Sequence, residues 1–229
     1  YNNKSVKTFD ELSEKELEVK IETAHKAFQT WKTSSFQERT KLLKKVASLM
    51  KEKKKMLSEL ITLEMGKLIA QSEAEIDMCI SVYEYYAENA EEFLKDKEVD
   101  VKDGKAFIRN SPIGIILGVM PWNYPFNQVA RMAAPNIMAG NVIAIKHASN
   151  VPQCAQAIED LFLEAGATTG VYTNLFLSSK KIAKMAEDKR IAGMSLTGSE
   201  GAGSSLAGAA GKNLKKSVLE LGGSDAFIV

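Results

Sequence analysis

The sequence predicts an α/β fold: a parallel sheet with helices on both faces, a helical N-terminal lead-in and a projecting β-hairpin. Three observations predict it. From about Ser13 to Lys95 apolar residues recur at helical spacing. Around Val99 the period shortens to two on either side of Asp103-Gly104. From Ile113 onward short apolar runs alternate with helical stretches, and that alternation implies parallel strands covered on both sides.

In the lead-in, Leu42, Leu43, Val46, Leu49 and Met50 share one helical face. Ser35 with Glu38 forms a capping-box pattern, in which each side chain satisfies the other residue's free N–H. Gly66 after Met65 reads as a helix stop, and the aromatic-rich run Val82 to Tyr86 as core. The basic run Lys51, Lys53, Lys54 and Lys55 sits beside Glu52 and Glu59, the pattern of a solvated helix face. Asp103-Gly104 between alternating runs predicts a two-residue turn with positive φ at both positions. The free edges of such a hairpin favour assembly with another sheet.

The strands expected next are Ile113 to Val119, Val142 to Ile145, Val171 to Leu177 and Ile191 to Leu196, with more near Val218 and Phe227. Helices are expected at Gln128 to Ala139, Gln153 to Ala165, Ile182 to Glu187 and Ser204 to Ala210. This is a Rossmann-like order, and ligands of such sheets bind at the carboxyl ends of the strands.

Composition narrows the function. Thirty basic residues against twenty-nine acidic ones give a net charge of +1, so neither a nucleic acid nor a membrane surface is expected as partner. No apolar run reaches the roughly 18 residues of a membrane span. Cys79 and Cys154 are isolated in helical patterns and read as buried packing residues, which fits a reducing cytoplasm. The chain starts at Tyr1 and stops within the apolar run Phe227-Ile228-Val229, so it is expected to be cut from a longer sequence.

Four loops after strands carry candidate chemistry. In Pro121-Trp122-Asn123-Tyr124-Pro125 two prolines stiffen the backbone around Asn123, whose amide could stabilise an oxyanion. Lys146-His147-Ala148-Ser149 lies where the ribose of an adenine nucleotide would sit; Lys146 and Ser149 donate where an acid would repel a 2′-phosphate. His147 reads as a packing or surface residue, and no metal is expected. Thr197-Gly198-Ser199-Glu200-Gly201 could bring backbone N–H groups to a phosphate at a helix start. In Leu219-Glu220-Leu221 the flanking apolar residues would desolvate the acid, which favours a general base. Each has a plainer alternative: an ordinary loop Asn, a solvated Lys, a common Gly-rich turn, a Glu turned to solvent.

The order of these motifs resembles the aldehyde dehydrogenase superfamily: Pro121-Trp122-Asn123, Gly140-Asn141-Val142 leading to Lys146, Leu196-Thr197-Gly198-Ser199, then Leu219-Glu220-Leu221-Gly222-Gly223. The resemblance covers nearly the whole chain, with Glu64-Met65-Gly66-Lys67 and the hairpin included. It implies that Asn123 contributes to an oxyanion hole and that Glu220 activates the water that hydrolyses a thioester. It implies that Lys146 bonds the ribose and Ser199 the pyrophosphate. Trp122 and Leu221 would shape the nicotinamide end. Ser149 stands where members preferring NAD often carry glutamate, which points to NADP alongside NAD.

Arg131, ten positions after Pro121, matches an arginine that holds the substrate carboxylate in succinate-semialdehyde dehydrogenases, through two parallel hydrogen bonds. Ser224-Asp225 after the two glycines, in place of the commoner lysine, points to the same subgroup. Two features depart from the family. Ser178-Ser179 stands where a glycine-rich turn is usual, and no nucleophilic cysteine follows Glu220 within these residues.

The division implied is a helical lead-in over 1–98, an oligomerisation hairpin over 99–111 and a dinucleotide-binding domain over 112–229. The full-length parent would oxidise a small-molecule aldehyde, succinate semialdehyde to succinate, with NADP or NAD, as a cytoplasmic homo-oligomer. The 229 residues alone would be inactive. The alternative is a nucleotide-binding or structural module without catalysis.

Overall fold

A computed structural model describes residues 5–224 and 226–228. The lead-in forms α1 (Glu14–Trp31), α2 (Phe36–Glu52), α3 (Lys54–Met65) and α4 (Ile69–Leu94). The Ser35–Glu38 capping box is present, and Ser13 with Glu16 makes a second one at the start of α1. Gly66 closes α3 in the left-handed region at φ 76°, where a side chain would be penalised. Leu42, Leu43, Val46, Leu49 and Met50 are all buried. Of the aromatic run, Tyr83 is core, stacked edge-on against Phe162, whereas Tyr85 stays half-exposed against Tyr86. The lysine run is ion-paired at the surface: Lys53 with Glu164, Lys54 with Asp77, Lys55 with Glu59. No helix among the described residues is long and apolar enough to cross a membrane.

The hairpin forms, but its turn differs from the expected one. β1 (Lys97–Val99) pairs antiparallel with β2 (Ala106–Ile108), Val99 opposite Ala106, so Asp100 through Lys105 form the loop. Gly104 has φ 86° and Asp103 keeps a negative φ. A two-residue turn at Asp103-Gly104 would set Lys102 directly opposite Lys105, and like charges facing across strands are destabilising. The base of the hairpin is held by the Arg109 guanidinium, whose Nε donates to Asp96 Oδ1 at 2.9 Å.

The main sheet consists of β3 (Ile115–Met120), β4 (Val142–His147), β5 (Tyr172–Asn174), β6 (Ile191–Gly198) and β7 (Lys216–Leu221). All pairings are parallel and the order is β5-β4-β3-β6-β7. Its helices are α5 (Asn127–Met138), α6 (Pro152–Glu164), α7 (Ser179–Met185) and α8 (Glu200–Lys212). Right-handed crossovers put α5 and α6 on one face, backed by α2, α3 and α4, with α1, α7 and α8 covering the other. β4 is buried at every position, while β7 at the sheet edge is largely exposed.

Two strand expectations are corrected. The run Val171 to Leu177 pairs over three residues only: after Leu175 N–H donates to Ile145 O, the chain leaves the sheet. No strand forms at Phe227, which is exposed along with Ile228; Asp225 and Val229 lie outside the described residues. The lead-in locks to the sheet layer through one buried and one partly buried polar contact. Arg39 Nη1 donates to Met138 O at 2.9 Å, and Trp31 Nε1 donates to Ile137 O at 3.2 Å.

Candidate active site

Because the strands are parallel, their carboxyl ends share one edge. From β3 the chain steps outward through β4 to β5, then returns to the other side of β3 as β6. The topological switch therefore falls between β3 and β6, and a crevice opens outside their carboxyl ends. The loop after β3 carries Trp122 and Asn123; β6 ends on Gly198, and Ser199 follows it at the start of α8. Register sets the flanks. Val119 lies opposite Lys146 on β4 and Leu196 on β6, and Thr197 lies opposite Glu220 on β7. All four sequence-singled loops thus reach the same edge.

Trp122 and Asn123 are exposed in a loop whose far end is buried. That end is tied to the β4 loop: His147 Nε2–H donates to Pro125 O at 2.8 Å, and Ala148 N–H donates to Met120 O at 3.0 Å. With Pro125 O as acceptor, Nε2 holds the proton and Nδ1 is bare; Nδ1 is buried without a partner. Desolvation lowers the His147 pKa to about 4, against the Pro125 bond that raises it, so the ring is neutral at pH 7. The packing role expected for His147 is the one it has.

Lys146 is buried, with no carboxylate partner among the described residues, and desolvation lowers its pKa. Ser149 is exposed on the rim of a cleft of about 430 Å³ beyond β4 and β5. Asn174 lines the same cleft, with both side-chain polar atoms buried and unpaired. The Ser199 hydroxyl caps its own helix, accepting the Ala202 N–H at 3.3 Å. What the start of α8 presents outward is therefore its free first-turn N–H groups. Gly203 has a packing reason: a Cβ there would lie 2.5 Å from Leu221 Cδ2, so the missing side chain lets β7 close onto α8. Leu221 remains partly exposed beside it.

A second cleft, about 490 Å³, opens between α5 and the β6–β7 side of the sheet and is lined by Arg131, Glu220, Gln128, Ser195, Thr197 and Met120. Across it Arg131 Nη2 stands 3.6 Å from Glu220 Oε2. Glu220 differs from its sequence expectation: it lies on an edge strand with its side chain 55% exposed, so its apolar neighbours do not desolvate it. No polar contact joins Asn123 to Glu220 among the described residues. Cys79 and Cys154 are fully buried and burial raises both thiol pKa values, which leaves neither as a nucleophile.

The chemistry present fits a dinucleotide. An unpaired ammonium and a hydroxyl stand at the end of β4, with no acid at Ala148 or Ser149 to repel a phosphate. Free N–H groups start α8, across the switch point from the Asn123 loop. Sequence reasoning missed Gln128 and Ser195, polar side chains that no motif marks, and gave no role to Thr197, which lies within a motif. It also left Lys67 and Glu75 without a role, although the Glu64-Met65-Gly66-Lys67 segment was visible.

A sequence model described as the aldehyde dehydrogenase family matches residues 1–229. The NADP(+) succinate-semialdehyde dehydrogenase of Deinococcus radiodurans is 45% identical over 229 residues, 100% of this chain and 48% of that protein. A probable NADP(+) succinate-semialdehyde dehydrogenase of Synechocystis is 46% identical over 225 residues, 98% of this chain and 50% of that protein. The crystal structure of succinic semialdehyde dehydrogenase from Streptococcus pyogenes in complex with NADP+ superposes with a TM-score of 0.95 at 42% identity, covering 99% of this chain and 50% of that one. The chain spans about half the length of the relatives it matches.

Proposed function

Since the chain belongs to the aldehyde dehydrogenase family, we propose that it forms the cofactor-binding half of an NADP-dependent succinate-semialdehyde dehydrogenase. The observation that carries this reading is Arg131 facing Glu220 across one cleft, at the edge where the Asn123 loop and the start of α8 also lie. An arginine lining a cleft of mixed apolar and polar walls suits a carboxylated aldehyde, because a guanidinium grips a carboxylate through two bonds. NADP-dependent relatives at 42–46% identity support the cofactor.

In this reading NADP, when bound, supplies the hydride acceptor. Lys146 and Ser149 hold the ribose and its 2′-phosphate, and the N–H groups beyond Gly198 and Ser199 hold the pyrophosphate. Trp122 and Leu221 exclude water from the nicotinamide end. Asn123 donates its side-chain amide to the oxygen that gains charge when a thiol adds to the aldehyde. Glu220 then takes a proton from the water that releases the acid. The thiol comes from outside these 229 residues, so on their own they turn over no aldehyde. The division into 1–98, 99–111 and 112–229 belongs to the same reading, with the hairpin joining subunits of a cytoplasmic oligomer.

The test is Arg131→Leu in the full-length enzyme. Losing a charged hydrogen-bond pair worth about 1.5–3 kcal/mol should raise KM for succinate semialdehyde about 10- to 100-fold. KM for butanal, which has no carboxylate, should move less than about twofold. An unchanged KM for the carboxylated aldehyde rules out the clamp.

A further inference from the structure

The Asn123 loop is gripped from outside by two residues of the lead-in. Neither α5 nor α6 has a side-chain cap of its own: Phe126 and Val151, their N-cap residues, make no capping hydrogen bond. Both starts are instead satisfied by carboxylates from one stretch at the α3–α4 junction. Glu64 accepts the N–H groups of Gln153 and Cys154, each at 2.8 Å, and so caps α6. Glu75 Oε1 accepts the N–H groups of Phe126 at 2.9 Å and Asn127 at 3.1 Å, and so caps α5.

The second oxygen of Glu75 takes Lys67 Nζ at 2.5 Å, in a pair whose side chains are 6% and 0% exposed. The same ammonium lies 3.5 Å over the Tyr124 ring. Thus the residue after Asn123 is held through its ring, and the backbone three and four residues on is held through its N–H groups. Both contacts converge on one buried ion pair. The Asn123 side chain itself makes no hydrogen bond among the described residues, so its backbone sets its aim.

We propose that Lys67 and Glu75 are positioning residues for the oxyanion donor, a clamp that fixes Asn123 through Tyr124 and the start of α5. The proposal rests on the oxyanion reading of Asn123. An amide that must meet a developing charge at hydrogen-bond distance loses most of its effect when its backbone drifts, since catalysis is sensitive to displacements near 1 Å. A carboxylate capping a helix start from a distant segment resists such drift because moving α5 would strand a buried charge.

The test is a double-mutant cycle in the full-length enzyme. One variant, Lys67→Met with Glu75→Gln, removes both charges together and leaves an acceptor for the two backbone N–H groups. The other, Tyr124→Leu, alters a ring 42% exposed at the loop rim and keeps the clamp usable should the first fail to fold. Lys67→Arg is the conservative control.

Each disruptive variant is expected to lower kcat about tenfold or more, up to the roughly 100- to 1,000-fold loss that removing an oxyanion donor causes. KM for NADP+ should change less than about twofold, and Lys67→Arg should restore most of the rate. In an Asn123→Ala background the same variants should cost little further kcat. If the losses add in full on top of Asn123→Ala, or kcat is unchanged, the clamp is overturned while the oxyanion reading stands. If Asn123→Ala itself leaves kcat unchanged, the reading fails and the clamp fails with it.

Discussion

Replacing Glu220 with Gln in the full-length enzyme should lower steady-state turnover about 100- to 10,000-fold, the usual contribution of a positioned general base. The amide keeps the size and hydrogen-bonding reach of the side chain but cannot take a proton from water. Because hydride leaves before the acid is released, the variant should still form about one NADPH per site in a fast first turnover. Stopped-flow absorbance separates the two phases. A burst followed by near-arrest locates the loss in the hydrolytic step, whereas an unchanged steady-state rate removes Glu220 from the mechanism. The position favours adaptability over rigidity. Glu220 sits half-exposed on an edge strand, 3.6 Å from Arg131, with no buried hydrogen-bond network to hold it. A side chain so placed can reach toward either the crevice or the arginine.

Acidification should destabilise the fold through His147. Its folded pKa of about 4 lies below the roughly 6.5 of an unfolded histidine, so the folded state disfavours the charged ring. The stability that a neutral His147 allows is therefore fully present above about pH 6.5. It falls as pH drops and levels off only below about pH 4. The difference of about 2.5 units corresponds to about 3 kcal/mol. The cost comes from burying a charge with Nδ1 unpaired, since the Nε2 bond to Pro125 survives protonation. Urea unfolding at pH 7.5 and 4.5 checks it. The native protein should lose about 2.5 kcal/mol more than His147→Gln between those pH values, most of the full difference, and equal losses would show that His147 does not titrate in the fold.

Much of the architecture was legible because its signals are local. The Ser35–Glu38 capping box, the glycine at α3's end and the alternation of apolar runs each act within a few residues, and each is present where the pattern put it. The errors share a cause: they depend on what lies opposite. The hairpin turn at Asp103-Gly104 yields to the charge pairing it would force on Lys102 and Lys105. β5 pairs only over Tyr172–Asn174 although β4 continues to His147, so its length depends on where the chain after Leu175 turns rather than on its own apolar run.

The site divides in the same way. Order along the chain put Asn123, Lys146, Ser199 and Glu220 at strand ends, and parallel topology brings those ends to one edge. Lys146 and Glu220 are the last residues but one of β4 and β7, however, and not loop residues. Sequence gave no sign that Glu220 would be exposed, since β7's burial depends on sheet order. Nor could it pair Lys67 and Glu75 with Tyr124 and Phe126, partners some fifty residues apart along the chain.

The most direct measurement is NADPH formation by the full-length enzyme with succinate semialdehyde and with butanal, aldehydes that differ in the carboxylate Arg131 is proposed to bind. We predict NADP-dependent oxidation of both, with kcat/KM for succinate semialdehyde higher by at least about tenfold, the equivalent of about 1.4 kcal/mol. No NADPH from either, or equal kcat/KM for the two, would contradict it.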